Sequence, residues 1–136
     1  HMQIPEGATP KDGPSGGVTM ITALLSLLKN VPVHPDLAMT GEVTLTGKVL
    51  PIGGLKEKVI AARRVHANVL IFPKDNRRDF DELPDYLKKG LEVHFVDYYT
   101  EVYEIAFKQP KKKNETHQKV AKRAPKKSHR SKRAKK

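Results

Sequence analysis

Apolar side chains recur at Val18, Ile21, Leu24, Leu25 and Leu28. Steps of three and four predict an amphipathic helix from Ser15 to Lys29, stopped by Asn30 and Pro32. Gly16 and Gly17 fall in its first turn, where a close backbone approach would account for them. The stretch LAMTGEVTLTGKVLPIGG, residues 37–54, changes the period. Val43, Leu45 and Val49 alternate with polar neighbours, which predicts a β-ribbon turning at Thr46-Gly47-Lys48 and ending at Pro51 and Gly53-Gly54. A second helix is predicted from Leu55 to Val65, with Val59, Ala62 and Val65 on one face. NVLIFP, residues 68–73, is an apolar run long enough only for a buried strand. A short helical piece is expected over 76–89. In LEVHFV, residues 91–96, Val93 and Phe95 alternate against His94, which predicts a further strand. YTEVYEIAF, residues 99–107, closes as a helix.

The predicted order is loop, helix, ribbon, helix, strand, helix, strand, helix, with no internal repeat. That mixture predicts an α+β domain of the mixed α/β kind. Residues 3–14 are turn-rich, with three prolines and two glycines, so almost no strand leads into the first helix. The expectation is a domain truncated at its N-terminus. His1-Met2 reads as a cloning scar, residues 3–107 as the domain and 108–136 as a basic tail.

At 136 residues the chain has room for one modest domain. It has no Cys, which excludes a disulfide framework and thiolate metal sites. No cluster shows metal-ligand spacing, and no apolar run approaches the roughly 20 residues of a membrane-spanning helix. The net charge of +11 is unevenly placed. Residues 108–136 hold 14 Lys and Arg against one acid, Glu115, whereas residues 1–107 hold 12 basic and 14 acidic side chains. Dense charge and few large apolar residues predict a disordered tail. It reads as an electrostatic arm for nucleic acid or an anionic membrane, as a nuclear address, or as a merely solvated segment. No aromatic residue is interleaved for base stacking.

Gly13-Pro14-Ser15-Gly16-Gly17 matches G-x-S-x-G, the pattern of a nucleophile elbow. A serine hydroxyl is inert at neutral pH until a base activates it. Three arrangements compete. A hydrolase-type triad would take Asp75 or Asp79 and then His94, but that fold needs a longer sheet before the elbow. His94, His34 and His66 also have ordinary strand, connector and helix-end readings. DGPSGG at a helix start could instead be an anion nest, yet its glycine run lacks the lysine of a nucleotide-binding loop. The third arrangement is a Ser–Lys dyad, in which a lysine acts as base once desolvation lowers its pKa. On the helix after Gly53-Gly54, Lys56 and Lys58 differ by about 200° of rotation. Lys58 lies three residues from Leu55 and four from Ala62, on the apolar side, whereas Lys56 looks outward beside Glu57. Lys58 is the better base.

PEGATPKDGPSGG (residues 5–17) and AMTGEVTLTGKVLPIGGLKEK (residues 38–58) together resemble two segments of the ATP-dependent Lon protease family. These are the segments that carry the family's catalytic Ser and Lys, which fall on Ser15 and Lys58, 43 residues apart as in the family. The resemblance runs over residues 4–107, and GLEVHFVDYYTEVYEIAF looks most like mitochondrial members. Many members carry Ala where Gly16 stands. The family's opening strands before the Ser loop, its ATPase module and its substrate-binding region have no counterpart here, and the basic tail has no typical one.

The resemblance implies a ribosomal-protein-like α+β fold and a serine endopeptidase acting on unfolded, damaged or regulatory proteins. Lys58 would take the proton of Ser15 Oγ, which attacks a peptide carbonyl, and the acyl-enzyme would then be hydrolysed. The loop backbone at Gly13, Pro14 and Gly16 would surround the oxyanion. Thr40 would help orient the lysine. Asp12 would shape or gate the Ser loop, or simply form its turn beside Gly13. Glu42 and Glu57 read as solvated. The resemblance further implies no cofactor or metal in this portion, ATP and Mg2+ in the ATPase module, and a homo-hexamer in the complete enzyme. It implies the mitochondrial matrix, with the bacterial cytoplasm as the alternative. The rival reading is a basic nucleic-acid-binding α+β domain that uses the 108–136 tail. A Lys58 Nζ to Ser15 Oγ distance near about 3 Å would mark a formed dyad.

Overall fold

In the run NVLIFP every side chain after Asn68 is apolar, because Val69–Pro73 supplies a strand covered on both faces. The computed structural model describes residues 15–108. In it this run is β4 (Val69–Pro73), the middle of a parallel sheet ordered β1-β4-β5, with β1 at Leu37–Met39 and β5 at Glu92–Val96. Successive β4 side chains point to opposite faces. Leu70 and Phe72 join Leu55, Val59 and Ala62 of helix α2 (Leu55–Arg64), together with Leu83 and Leu87. Ile71 goes the other way, to Val18 of α1 (Gly17–Lys29), Val49, Val96 and Val102 of α5 (Tyr99–Ala106). The result is the mixed α/β architecture that the alternation of elements predicts, with one strand joining two apolar clusters.

Several details differ from the periodicity. The stretch 37–54 does not form one ribbon. Leu37–Met39 pairs in parallel with β4, and only β2 (Glu42–Val43) and β3 (Val49–Leu50) pair as an antiparallel ribbon. Gly41 makes this switch of sheet possible, since a Cβ there would sit 2.8 Å from Val49 Cγ1 and 3.3 Å from Val18 Cγ1. The ribbon turn also begins earlier than expected. Gly47 N–H donates to the Thr44 carbonyl at 2.9 Å and Gly47 is left-handed at φ 85°, so Leu45 sits on the exposed tip and not in a strand.

The helix expected over 76–89 is three pieces: a 3-10 turn at Lys74–Asn76, α3 at Arg77–Asp81 and α4 at Asp85–Lys88. Pro84 separates the last two, because proline disfavours helical geometry in the residue before it. Val65 caps α2 and is 73% exposed, so it leaves the buried face assigned to it.

Helix α1 ends at Asn30, as its sequence predicts. Asn30 is left-handed at φ 51°, and the Asn30 and Val31 N–H groups close back onto Leu27 and Ser26. Its apolar face is only partly covered, however. Val18 and Thr22 are buried, whereas Leu24 and Leu28 are 53% and 80% exposed. Thirteen helical residues run for about 20 Å, but the three residues of β1 beside them span only about 10 Å. The helix outruns its strand.

Thr22 stays buried because its hydroxyl is satisfied twice. Oγ1 donates to the Val18 carbonyl at 2.7 Å, which leaves it free to accept from Tyr99 OH at 2.9 Å and so joins α1 to α5. Burial pushes the Tyr99 phenol above its ordinary range; the Thr22 hydrogen bond offsets part of this, and nearby Tyr103 adds to it. A raised native pKa means that folding holds the proton more tightly. The stabilisation is complete below the unfolded value, about 10 for Tyr, and is lost as pH rises from there through the native value. Denaturant titrations should therefore show Tyr99→Phe costing about 1 kcal/mol at neutral pH and losing less stability than wild type above about pH 10. An identical alkaline loss in both proteins would exclude Tyr99 as its source.

Candidate active site

Ser15 enters α1 through Gly16, the helix cap, at φ −93° and ψ 0°. Its carbonyl oxygen accepts two hydrogen bonds, from Gly41 N–H at 2.9 Å and from Thr40 Oγ1 at 3.0 Å. In return the Gly41 carbonyl accepts the Val18 N–H at 3.1 Å. The first turn of α1 is thus tied to the crossover between β1 and β2. Gly17 permits this contact, because a Cβ there would lie 3.2 Å from the Val43 backbone nitrogen and 3.4 Å from the Gly41 carbonyl oxygen. Gly16 differs: among the described residues a Cβ on it would meet nothing within 4 Å.

Lys58 comes from α2, whose cap Gly54 is left-handed at φ 66° and ψ 34°. Leu55, Val59 and Ala62 bury one side of this helix, while Lys56 and Glu57 are exposed. Lys58 sits between these faces, half-buried, and its Nζ donates to Ser15 Oγ at 3.1 Å. Once the amine is neutral, the same line serves a proton moving from oxygen to nitrogen. Both groups open into a cavity of about 390 Å³ whose walls include Ala38, Met39, Ala61 and Val65.

The histidine alternatives are not assembled around Ser15. His94 Nε2 and Glu92 Oε1 are 2.8 Å apart on β5, the sheet edge opposite β1. Two strand spacings, about 10 Å, separate those edges. Asp79 accepts a hydrogen bond from Asn76 at 2.8 Å. Thr40 is buried, and its hydroxyl holds the backbone of Ser15, where the resemblance would have it orient the lysine. Asp12, Gly13 and Pro14 lie outside the described residues. Pro14 has no N–H and so offers no oxyanion donor.

Two residues escaped the sequence reading: Gly41, bonded to the Ser15 carbonyl, and Asn76, bonded to Ile52 in the connector that leads into α2. Gly41 carried a usable signal, since a glycine inside a strand-like run often marks close backbone approach. Asn76 carried none, because KDNRRD reads equally well as a helix start. Among the described residues no group of three or more His, Asp or Glu could hold a metal ion, and no helix is long and apolar enough to cross a membrane.

Residues 1–109 match the family model of the Lon protease C-terminal proteolytic domain. The chain is 71% identical over 107 residues to the Lon protease of Chlamydia muridarum, a match covering 79% of this chain and 13% of that protein. It is 65% identical to the mitochondrial Lon protease homolog of Zea mays and 64% identical to that of Drosophila melanogaster, again over 79% of this chain, and over 11% and 10% of those proteins. The chain thus spans about a tenth of the length of these relatives.

The Thr40 contact is open to a near-isosteric test. Thr40→Val keeps the shape and removes one of two hydrogen bonds to the Ser15 carbonyl. A bond of about 0.5–1.5 kcal/mol should appear as a roughly 2- to 10-fold slower reaction of Ser15 with a serine-directed phosphonylating probe. An unchanged rate would show that Gly41 alone holds the loop.

Proposed function

Because the chain belongs to the Lon protease C-terminal proteolytic domain family, we propose that it is the peptide-cleaving portion of an ATP-dependent serine endopeptidase. Its substrates on this reading are unfolded, damaged or regulatory proteins. The observation that carries the proposal is the 3.1 Å hydrogen bond between Lys58 Nζ and Ser15 Oγ beside a largely apolar cavity. Neutral Lys58 removes the proton from Ser15 Oγ as the oxygen bonds to the peptide carbonyl carbon. The resulting ammonium returns that proton to the departing amine nitrogen. Lys58 then takes a proton from a water that attacks the acyl ester and passes it to the departing Ser15 Oγ, releasing the acid and restoring both groups. Backbone N–H groups around the Ser15 turn would face the developing oxyanion, where loss of one donor costs on the order of 10²–10³ in rate. The walls at Ala38, Met39, Ala61 and Val65 suit an apolar side chain next to the scissile bond.

In this reading ATP and Mg2+ belong to the ATPase module of the full protein. The glycine run at Ser15–Gly17 contains no lysine, and Lys58, which reaches it, is hydrogen-bonded to the serine. The cleavage steps above use neither. A homo-hexamer and a mitochondrial matrix location complete the proposal. Identity of 71% to a bacterial relative supports the bacterial cytoplasm as a second reading. The 14 basic residues of 108–136, all but Lys108 outside the described residues, also favour a nucleic-acid contact compatible with proteolysis.

Ser15→Ala and Lys58→Ala are each expected to abolish cleavage of a fluorogenic peptide. Cleavage retained in Lys58→Ala would remove the dyad. Binding to duplex DNA should fall steeply with salt and vanish when 108–136 is deleted. Binding that survives the deletion would assign it to the folded part.

A further inference from the structure

Asn76 is 2% exposed and takes no part in the chemistry above. It ends the 3-10 turn after β4, and its amide pairs in both directions with one backbone position. Oδ1 accepts the Ile52 N–H at 2.9 Å, and Nδ2 donates to the Ile52 carbonyl at 2.8 Å. Nδ2 also donates to Asp79 Oδ2 at 2.8 Å. Ile52 belongs to the connector between β3 and α2, two residues before the left-handed Gly54.

We infer that Asn76 is a positioning residue for Lys58: it pins the start of α2 to the end of β4 and so sets the height of the lysine opposite Ser15. This rests on the Ser15–Lys58 reading. The packing of α2 through Leu55, Val59 and Ala62 is apolar, and apolar contact is non-directional, so it resists sliding along the helix axis poorly. The helix has no side-chain cap, and two glycines, the most permissive residues, precede it. The Asn76–Ile52 pair supplies the directional tether upstream of them.

The partner group is referenced to the same strand. Thr40 N–H donates to the Ile71 carbonyl at 3.2 Å while its hydroxyl holds Ser15. Nucleophile and base are therefore both measured from β4, one through Ile71 and the other through the turn that follows Pro73. An aspartate at 76 would keep the Ile52 N–H contact, lose the donor to the Ile52 carbonyl and face Asp79. The amide suits this position where a carboxylate does not.

The test is phosphonylation by a fluorophosphonate, in which Ser15 Oγ bonds to phosphorus, fluoride leaves and Lys58 takes the proton. Wild type, Ser15→Ala, Lys58→Ala, Asn76→Ala and Asn76→Asp are compared in the full chain for maximal rate, probe affinity and final labelled fraction. A 1 Å misplacement costs about 10²-fold, so Asn76→Ala should lower the maximal rate about 10- to 100-fold at unchanged probe affinity. Asn76→Asp, which preserves shape and one contact, should lose about 3- to 10-fold. A purely structural role would reduce the labelled fraction and leave the maximal rate of the folded molecules as in wild type. That result overturns the positioning role while the dyad stands. If Asn76→Ala does not fold, Asn76→Asp decides by the same rate. Wild type that shows no labelling dependent on Ser15 and Lys58 removes the dyad and the positioning role together.

Discussion

Two hydrogen bonds into the carbonyl oxygen of Ser15 determine where the rest of the site can stand. Donors at positions 40 and 41 reach it only if the chain leaves β1 at that point and α1 begins against it. Gly41 must then pass between Val18 and Val49, and β2 must come close enough to leave no room for a side chain at Gly17. The placement of the first turn of α1 follows. With its backbone held in this way, the serine hydroxyl points to the α2 side, where Lys58 Nζ meets it.

That geometry explains why a lysine suits the position better than an imidazole. The histidine of β5 is two strands away, and a short ring cannot span the sheet. A lysine stem is long and apolar. It can cross a cavity wall while burying its methylenes and bring a single nitrogen to the hydroxyl. Here it also starts from a helix seated in the sheet's apolar cluster. The reach is long, but its base is anchored.

The parts of the fold visible in the sequence are those governed by a single period. The run at 68–73, the alternation at 91–96 and the spacing of α1 and α2 each repeat one local rule, and each gives the right element. One misreading falls where the chain changes partner. Leu37–Met39 and Glu42–Val43 look continuous, yet they belong to different sheets, and a single glycine inside the run, Gly41, is the local sign of the crossing. Leu45 keeps strand alternation while standing on a turn, because periodicity does not register the left-handed Gly47. The side of α2 that carries Lys58 was legible from its spacing to Leu55 and Ala62. The contacts of Thr40 and Asn76 were not, since they depend on which backbone groups the tertiary fold leaves without partners.

Gly16 and Gly17 are indistinguishable as letters and neighbours in the chain, yet the structure gives them opposite evolutionary latitude. Among the described residues position 16 faces only the open cavity of Ser15 and Lys58, so a small side chain would fit there. Position 17 is pressed against the backbone of Gly41–Val43, and a change there would have to be matched by movement of that stretch. One glycine is a habit of this chain and the other a requirement of its architecture.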